Sequence, residues 1–548
     1  MMFCLNVFLF FFFFFMNSIY LFFFEYVIYI NNGSYFTLVF FFDWVSLLFM
    51  SFVFLISGSV LLYSVGYMSC DLNIVRFFYL VFLFILSMIF FIMMPDLICL
   101  LLGWDGLGII SYLLVIYYQN NISLYSGLIT IFINRLGDVF IILSIGFFFN
   151  FGSWHFFYYV DFLDFNIFFL IYFLMFSSFT KSAQFPFSFW LPLAMAAPTP
   201  VSSLVHSSTL VTSGLYLMIR FSHYVYYYDT FFLSYISLLT MFFSSFSAVM
   251  ENDLKKIIAF STLSQLSFMF FILSFGSISL CFSHLLIHAV FKSLLFLCSG
   301  YFIHCFFGSQ DIRYMGGMVV QCPFVSSCFF VSLLSLMGFP FFSGFFSSDI
   351  VIEMFVLMHM NYVYFFFFSF CLGLTFMYSL RLMYYLFYSD SYFFSFVTFK
   401  YSFYMNFSLL FLFFSSLIFG SFIFWMFYDF FFFVGGWLSM LPFYSFFFFF
   451  FFNFLFNFFY ILNFFFFYFF GLIMFLNFFS SDCFMSLFFS VSSLSFYLVD
   501  VCWLEYFIFY GLKNFFYFFS FYLDKFILNY FKIYFFSFFF FIIFFIFF

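Results

Sequence analysis

Charge is what this sequence has least of. Acidic and basic residues together make up 6% of its 548 positions, against about 25% in an ordinary soluble domain, which excludes a water-soluble globular enzyme. The formal net charge of -7 is spread thinly and builds no basic face, so no nucleic-acid partner is expected. The eleven cysteines are scattered without a C-x-x-C pair or a Cys/His cluster, which argues against iron–sulfur and structural zinc sites. "GWDGLG" (103–108) lacks the G-x-G-x-x-G spacing and an opening strand, so no nucleotide site is read. Residues 1–16 lack the basic region of a secretory signal and the Arg/Ser-rich face of a transit peptide. The start therefore reads as a first span, and synthesis inside an organelle is expected.

What remains is apolar. Hydrophobic residues reach 68% and the mean hydropathy is +1.25, the composition of a polytopic membrane protein. Long runs rather than alternating ten-residue segments favour helices over a barrel. At roughly 20 residues per crossing, an all-α protein of about 14–16 transmembrane helices is predicted. Phenylalanine supplies 136 residues, more than a lipid-facing wall requires; the excess reads as pressure from a T-rich organellar genome.

Spans are predicted near 3–24, 36–64, 77–94, 97–118, 124–150, 166–184, 197–220, 231–250, 254–275, 278–305, 322–340, 345–360 and 364–387, with further spans in the uncharged stretch 430–481. The organisation expected is N-terminal helices over 1–95, a core over 96–390 and further spans over 391–499. Residues 500–532 carry Asp500, Glu505, Lys513, Asp524, Lys525 and Lys532 among aromatics, the pattern of a helix lying along the membrane surface. Residues 533–548 then form a terminal anchor. Two stretches should interrupt the helical backbone: 185–201, with four prolines, and 337–349, with Gly338, Pro340 and Gly344. Interrupted helices at membrane depth mark transport sites in transporters; an ordinary loop between spans is the alternative.

Against this background the ionisable residues stand out. His284, His288 and Lys292 in "FSHLLIHAVFKSLLF" recur at i, i+4 and i+8, share one helix face and span roughly 12 Å of axis. A central charge costs about 2.5–3.5 kcal/mol in a membrane helix, so such a stripe faces a bundle interior or a wet cavity. A proton relay is one reading; two hydrogen-bonded neutral histidines with a snorkelling lysine is the other. Further groups are Asp105, Arg135, Asp138, Lys181, His206, Asp253 and Asp349. Arg135 and Asp138 are spaced as a local pair, and Asp253 sits where a helix opens at the membrane edge. A lysine beside a carboxylate in a dry bundle is a usable proton switch: at about 5 Å and an effective dielectric near 20 the pair is worth about 3 kcal/mol, the scale of moving one charge through 100 mV, about 2.3 kcal/mol.

The motifs "YSVGYM" (63–68), "GWDGLGIISYLL" (103–114), "NRLGDV" (134–139), "KSAQFPFSFWLPLAMAAPTPVSSLVHSSTLVTSGLYLMIR" (181–220), "NDLKKIIAFSTLSQL" (252–266), "FSHLLIHAVFKSLLFLCSGYFIH" (282–304), "QDIRYMGGM" (310–318) and "GFPFFSGFFSSDIVIE" (338–353) occur in one order. Over about residues 40–385 the chain thereby resembles the chain-five family of mitochondrial respiratory complex I, NADH:ubiquinone oxidoreductase. The resemblance implies an antiporter-like, proton-translocating subunit of the membrane arm, with two inverted five-helix repeats and a lateral C-terminal helix, multi-pass in the inner mitochondrial membrane. It implies neighbours among the chain-4 and chain-2 paralogues, lipids such as cardiolipin, and no cofactor in this chain, since flavin, iron–sulfur clusters and ubiquinone lie elsewhere in the complex.

By motif position, Lys181 matches the family's central lysine and Asp105 its partner carboxylate, with Arg135 and Asp138 beside it. His206 matches the histidine of the first interrupted helix, His284 and His288 the relay, Lys292 the middle lysine and Asp349 the distal acid; Asp253 belongs to the shared "NDLKK". Two positions depart. Asp105 stands where the family has Glu, and "SSD" stands where it has Ser-Lys-Asp, so Ser348 replaces a lysine. A hydroxyl can pass a proton but cannot store one, so either Asp349 with waters or Glu353 takes that role, or the exit chemistry differs in this protein. Two other readings stay open: a subunit of a multi-subunit cation/proton antiporter, and a structural membrane-arm spacer with reduced pumping.

Overall fold

The first described element is a hairpin, in a chain expected to be all helix. The computed structural model describes residues 21–31, 34–149, 154–155, 165–222, 226, 230–357, 362–392, 402–427, 484–528 and 530–547. Strands β1 (Phe22–Asn31) and β2 (Ser34–Phe42) pair antiparallel from Phe22 against Phe42 to Asn31 against Ser34, with one register shift between Val27 and Tyr29. Aromatic and β-branched residues fill both strands, the types that suit a pleated surface, and the sequence between them is Asn-Gly, the dipeptide favoured by short hairpin turns. The span expected over 36–64 is therefore corrected: helix α1 begins only at Trp44 and runs to Tyr67. The expected span 3–24 lies outside the described residues except for its last four positions, three of which are strand. The stretch 430–481 also lies outside them.

Further helices are described in the first of two compact units, Met1–Met474, close to the predicted positions: α2 (Ile74–Met93), α3 (Leu97–Val115), α4 (Asn121–Phe148), α5 (Phe165–Lys181), α6 (Leu210–Arg220), α7 (Thr230–Met250), α8 (Leu254–Ser274), α9 (Ile278–Cys305), α10 (Pro323–Met337), α11 (Ser343–Leu357) and α12 (Tyr362–Met383). Helix α13 (Phe403–Phe427) closes the set. Among the described residues of the whole chain, ten helices are long and apolar enough to cross a membrane, and three shorter apolar ones accompany them. The second unit, Phe475–Phe548, contains α14 (Phe484–Ser495), π-helical stretches over Phe496–Leu504 and Tyr506–Leu512, α15 (Lys513–Leu528) and α16 (Tyr530–Phe547). The predicted division between a lateral helix and an anchor at 532/533 thus falls inside α16.

Helix α9 is the hub of the first unit. It packs against α1, α8, α10, α11, α13 and the π-helical turn Ser202–Thr209, and from Leu280 to Ile303 every one of its residues is buried. Helix α8 is buried almost throughout. By contrast α2 and α4 turn one apolar face outward, through Phe78, Phe82, Phe132, Val139 and Ile142 among others, as suits helices at a lipid boundary. The helix that carries His284, His288 and Lys292 in mid-span is therefore among the innermost, the arrangement expected when ionisable groups are shielded from hydrocarbon.

Both predicted interruptions are present. Between α5 and α6 the backbone passes through short helical pieces at Trp190–Leu193 and Thr199–Val201 and then the π-helical turn. Trp190 Nε1 donates to the Thr180 carbonyl at 2.9 Å, and Thr240 Oγ1 donates to Gln184 Oε1 at 2.6 Å, so side chains bind polar groups near the broken ladder. The second break separates α10 from α11. Gly338 ends α10 at φ 72°, a left-handed turn that glycine adopts without strain.

A buried ion pair anchors the start of α1. Asp43 caps it, accepting from the Ser46 N–H at 2.9 Å, and receives Arg220 at 2.5 and 2.8 Å from the end of α6. Burial alone pushes the Asp43 carboxyl up, but the Arg220 charge, its hydrogen bonds and those of Ser46 outweigh this and hold it below its ordinary 3.8. A carboxyl lowered in the folded state contributes stability above its unfolded value, and that contribution is lost as pH falls through the folded one. Asp43→Asn keeps a capping side chain and strands the buried guanidinium, at a cost of about 3–5 kcal/mol. The lower thermal midpoint expected should be the same at pH 6 and pH 8; a penalty confined to one end of that window would contradict the pairing.

Candidate functional site

The first cluster forms where α5 stops. Lys181 is its last residue and fully buried. Its Nζ donates to the Trp104 carbonyl of α3 at 3.0 Å and lies 4.8 Å from the centre of the Trp104 ring, a cation–π distance. Trp104 Nε1 in turn donates to Asp138 Oδ1 at 2.8 Å. Arg135 Nη1 lies 3.1 Å from Asp138 Oδ2 and 3.6 Å from Asp105 Oδ2. The order is thus Lys181, Trp104, Asp138, Arg135, Asp105. Asp105 does not touch Lys181: among the described residues no carboxylate comes within ion-pair distance of that ammonium, and Asp105 pairs with Arg135 instead. The reason lies in helix phase. Trp104 and Asp105 are about 100° apart around α3, and the face that meets α5 carries Trp104, whereas the Asp105 and Arg135 side chains are 30% and 43% exposed.

The second cluster occupies the first interruption. His206 lies in the π-helical turn, is buried, and has neither ring nitrogen hydrogen-bonded. Its ring stands 6.3 Å from that of Trp190, which bonds the residue next to Lys181. The same turn packs on α9, so His206 belongs to the region between the two lysines. π-Bulges of this kind concentrate at functional sites.

The third cluster is the stripe on α9. Lys292 Nζ donates to Ser261 Oγ at 2.5 Å. One turn away His288 is fully buried with neither ring nitrogen bonded, and its ring centre lies 6.5 Å from that of His284. His284 is held at both nitrogens, Nδ1 to Ser347 Oγ at 2.8 Å and Nε2 to Gln265 Oε1 at 3.1 Å. His284 and Gln265 then line a cavity whose far wall includes Ser348 and Asp349. The i, i+4, i+8 spacing therefore becomes an inward polar file that ends in open space beside a carboxylate.

One predicted residue falls away from this file. Asp253 precedes α8 and pairs with Lys256 at 2.6 Å, both side chains more than a third exposed; the positive helix terminus explains its place. Other polar residues belong to the site without having been singled out: Trp104, Ser261, Gln265 and Ser347. Ser261 and Gln265 carried a signal, since they recur at i, i+4 on one face of α8. Lys255 is also buried and bonds the Ala197 carbonyl at 3.1 Å, tying α8 to the first interruption. Among the described residues no group of three His, Cys, Asp or Glu side chains is placed to hold a metal ion.

Three family matches cover this architecture in order. "NADH-Ubiquinone oxidoreductase (complex I), chain 5 N-terminus" matches residues 29–78, "NADH:quinone oxidoreductase/Mrp antiporter, TM" residues 94–375, and "NADH dehydrogenase subunit 5 C-terminus" residues 378–548. The chain is 51% identical over 366 residues to NADH-ubiquinone oxidoreductase chain 5 of Locusta migratoria, a match covering 66% of this chain and 64% of that one. With the chain of the same name from Anopheles gambiae it shares 53% over 351 residues, 64% of this chain and 60% of that one. The chain therefore spans about three-fifths of the length of these relatives. With that of Anopheles arabiensis it shares 52% over 332 residues, 60% of this chain and 86% of the other. In three dimensions it is similar to a chain of the Mrp complex from Dietzia sp. DQ12-45-1b, with a TM-score of 0.69 at 20% identity over 81% of this chain and 52% of that one, a likeness of fold. The ordered matches, the half-identical relatives and the two interrupted helices agree that this chain belongs to the chain 5 family of NADH-ubiquinone oxidoreductase, within the antiporter-like transmembrane proteins.

Proposed function

We propose that the chain is a proton-translocating core subunit of the membrane arm of respiratory complex I, coupling NADH-to-ubiquinone electron transfer to proton pumping across the inner mitochondrial membrane. The observation that carries this reading is the hub helix α9, whose His284, His288 and Lys292 are all buried where an ordinary membrane helix would place hydrocarbon. In this reading Lys181 and Lys292 store protons. Asp105, Arg135 and Asp138 set the field at Lys181 through Trp104, His206 and His288 pass protons between the lysines, and His284 delivers them toward Asp349. Ser261 orients Lys292, and Ser347 with Gln265 orients His284. The chain holds no redox group of its own and draws on electron transfer elsewhere in the complex. Its neighbours are the chain-4 and chain-2 paralogues and lipids such as cardiolipin, and it is made inside the organelle.

Each hand-over is a local event of a few kcal/mol. A charge pair at about 5 Å is worth about 3 kcal/mol, and a proton moved against 100 mV costs about 2.3 kcal/mol. A shift of one partner by a few ångströms therefore suffices to load or release a lysine. His288 is the informative test, because its unbonded nitrogens have no structural task. His288→Leu removes the carrier while filling similar space. It should lower the proton-to-electron stoichiometry of the complex in proteoliposomes, with NADH oxidation by an artificial acceptor intact. An unchanged stoichiometry in the assembled variant overturns the reading.

A further inference from the structure

The cavity at the end of the polar file is larger than a proton path to Asp349 requires. It holds about 240 Å³ among α7, α8, α9, α10, α11 and α12, at the interruption between α10 and α11. Most of its wall is aromatic or aliphatic, including Phe268, Phe345 and Phe376. On one side, however, it presents Ser348 and Asp349 together. Among the described residues Asp349 makes no ion pair, and the only basic side chain on the wall, His284, has both ring nitrogens bonded to neutral partners. A carboxylate left in such surroundings without a counter-charge is costly. At the interruption Phe339 and Phe341 are 44% and 87% exposed, so the chain beside the cavity also presents apolar surface.

We propose that this cavity is a binding site for small primary alkylammonium ions, with the ammonium head on Asp349 and the alkyl tail against the phenylalanine wall. Charge complementarity chooses the head, because an N⁺–H···O⁻ contact in a mostly apolar site is the strong kind of hydrogen bond, and the Ser348 and Thr375 hydroxyls, which also line the cavity, can accept its other protons. The walls choose the tail. A bare inorganic cation needs about six or more oxygen ligands, which a mostly hydrocarbon lining cannot supply, whereas an alkyl chain gains from leaving water. Size sets the upper length: at about 30 Å³ per water-sized group the space takes roughly eight such groups, enough for hexylammonium. The free base crosses the bilayer and is held after protonation.

The test is equilibrium binding of radiolabelled hexylamine to the purified membrane complex that contains this chain, with hexanol as the uncharged control. Binding rather than pumping is read, so the outcome is independent of the function proposed above. Saturable binding is expected at one site per chain, with hexanol at least 10-fold weaker. Asp349→Asn should weaken hexylamine at least 10-fold and leave hexanol unchanged. Ser348→Lys, which tethers an alkylammonium beside Asp349, should displace the free amine to a similar extent, and Ile352→Trp should exclude both ligands by filling the space. Where Asp349→Asn does not assemble, the other two variants decide. Equal binding of hexylamine and hexanol, or amine binding indifferent to Ser348→Lys and Ile352→Trp, overturns the proposal.

Discussion

Under the proposed function, Lys292→Met is expected to lower proton flux through this subunit at least about 100-fold while the complex still assembles. Lys292 is fully buried on the hub helix, is bonded through Nζ to Ser261 Oγ at 2.5 Å, and stands one turn from His288. Methionine has nearly the same length and follows the same path, and volume-conserving replacements in a packed core cost less than about 1.5 kcal/mol. Removing the ammonium also relieves a buried charge rather than stranding one. The structural penalty is thus small and the chemical one large: a positioned proton donor or acceptor contributes about 10²–10⁴-fold to proton transfer. Flux between His288 and Lys181 should fall at least about 100-fold, seen as a lower number of protons per electron in proteoliposomes. NADH oxidation by an artificial acceptor bypasses the membrane arm and should not change. A normal stoichiometry in an assembled variant would show that protons pass elsewhere.

The second expectation concerns the interrupted helix. Gly344→Ala should prevent the assembled protein from accumulating, because a Cβ at that position would sit 1.8 Å from the Ser335 carbonyl oxygen. That atom is backbone and cannot rotate aside, so α10 and the start of α11 must separate. Overpacking that forces backbone shifts costs typically 1–3 kcal/mol, and an overlap this deep should exceed about 3 kcal/mol. Gly146→Ala supplies the contrast. Nothing lies within 4 Å of a Cβ there, and alanine improves the propensity of α4 by about 1 kcal/mol. In matched expression, a loss of the complex for Gly344→Ala beside normal levels for Gly146→Ala is expected. Equal accumulation of the two would show that α10 and α11 are not packed as described.

How far these results could be foreseen differs from residue to residue. His284, His288 and Lys292 were legible as one face because their relative positions follow from 3.6 residues per turn within a single helix. The two interruptions were legible because proline and glycine act on the local backbone. The hairpin of β1 and β2 was not, since aromatic and β-branched runs serve a strand or a buried membrane helix equally well and periodicity does not separate them. The direct contact of Lys181 was not legible either: Asp105, one methylene shorter than the family's Glu, pairs with Arg135. The match of Asp105 to Lys181 rested on motif position, and the actual acceptor is a main-chain carbonyl of Trp104, a group every residue carries and no motif marks.

The amino-acid order alone settled what depends on neighbours along the chain: apolar length, helix periodicity, backbone breaks and the face on which the ionisable side chains lie. Which groups meet across helices, such as Lys292 with Ser261, His284 with Gln265 and Ser347, or Asp43 with Arg220, was decided by packing. So was the cavity that leaves Asp349 beside open space. Contacts within a helix are set by its geometry, whereas the distance between two helices depends on how all their neighbours fit together, and a few ångströms there separate an ion pair from none.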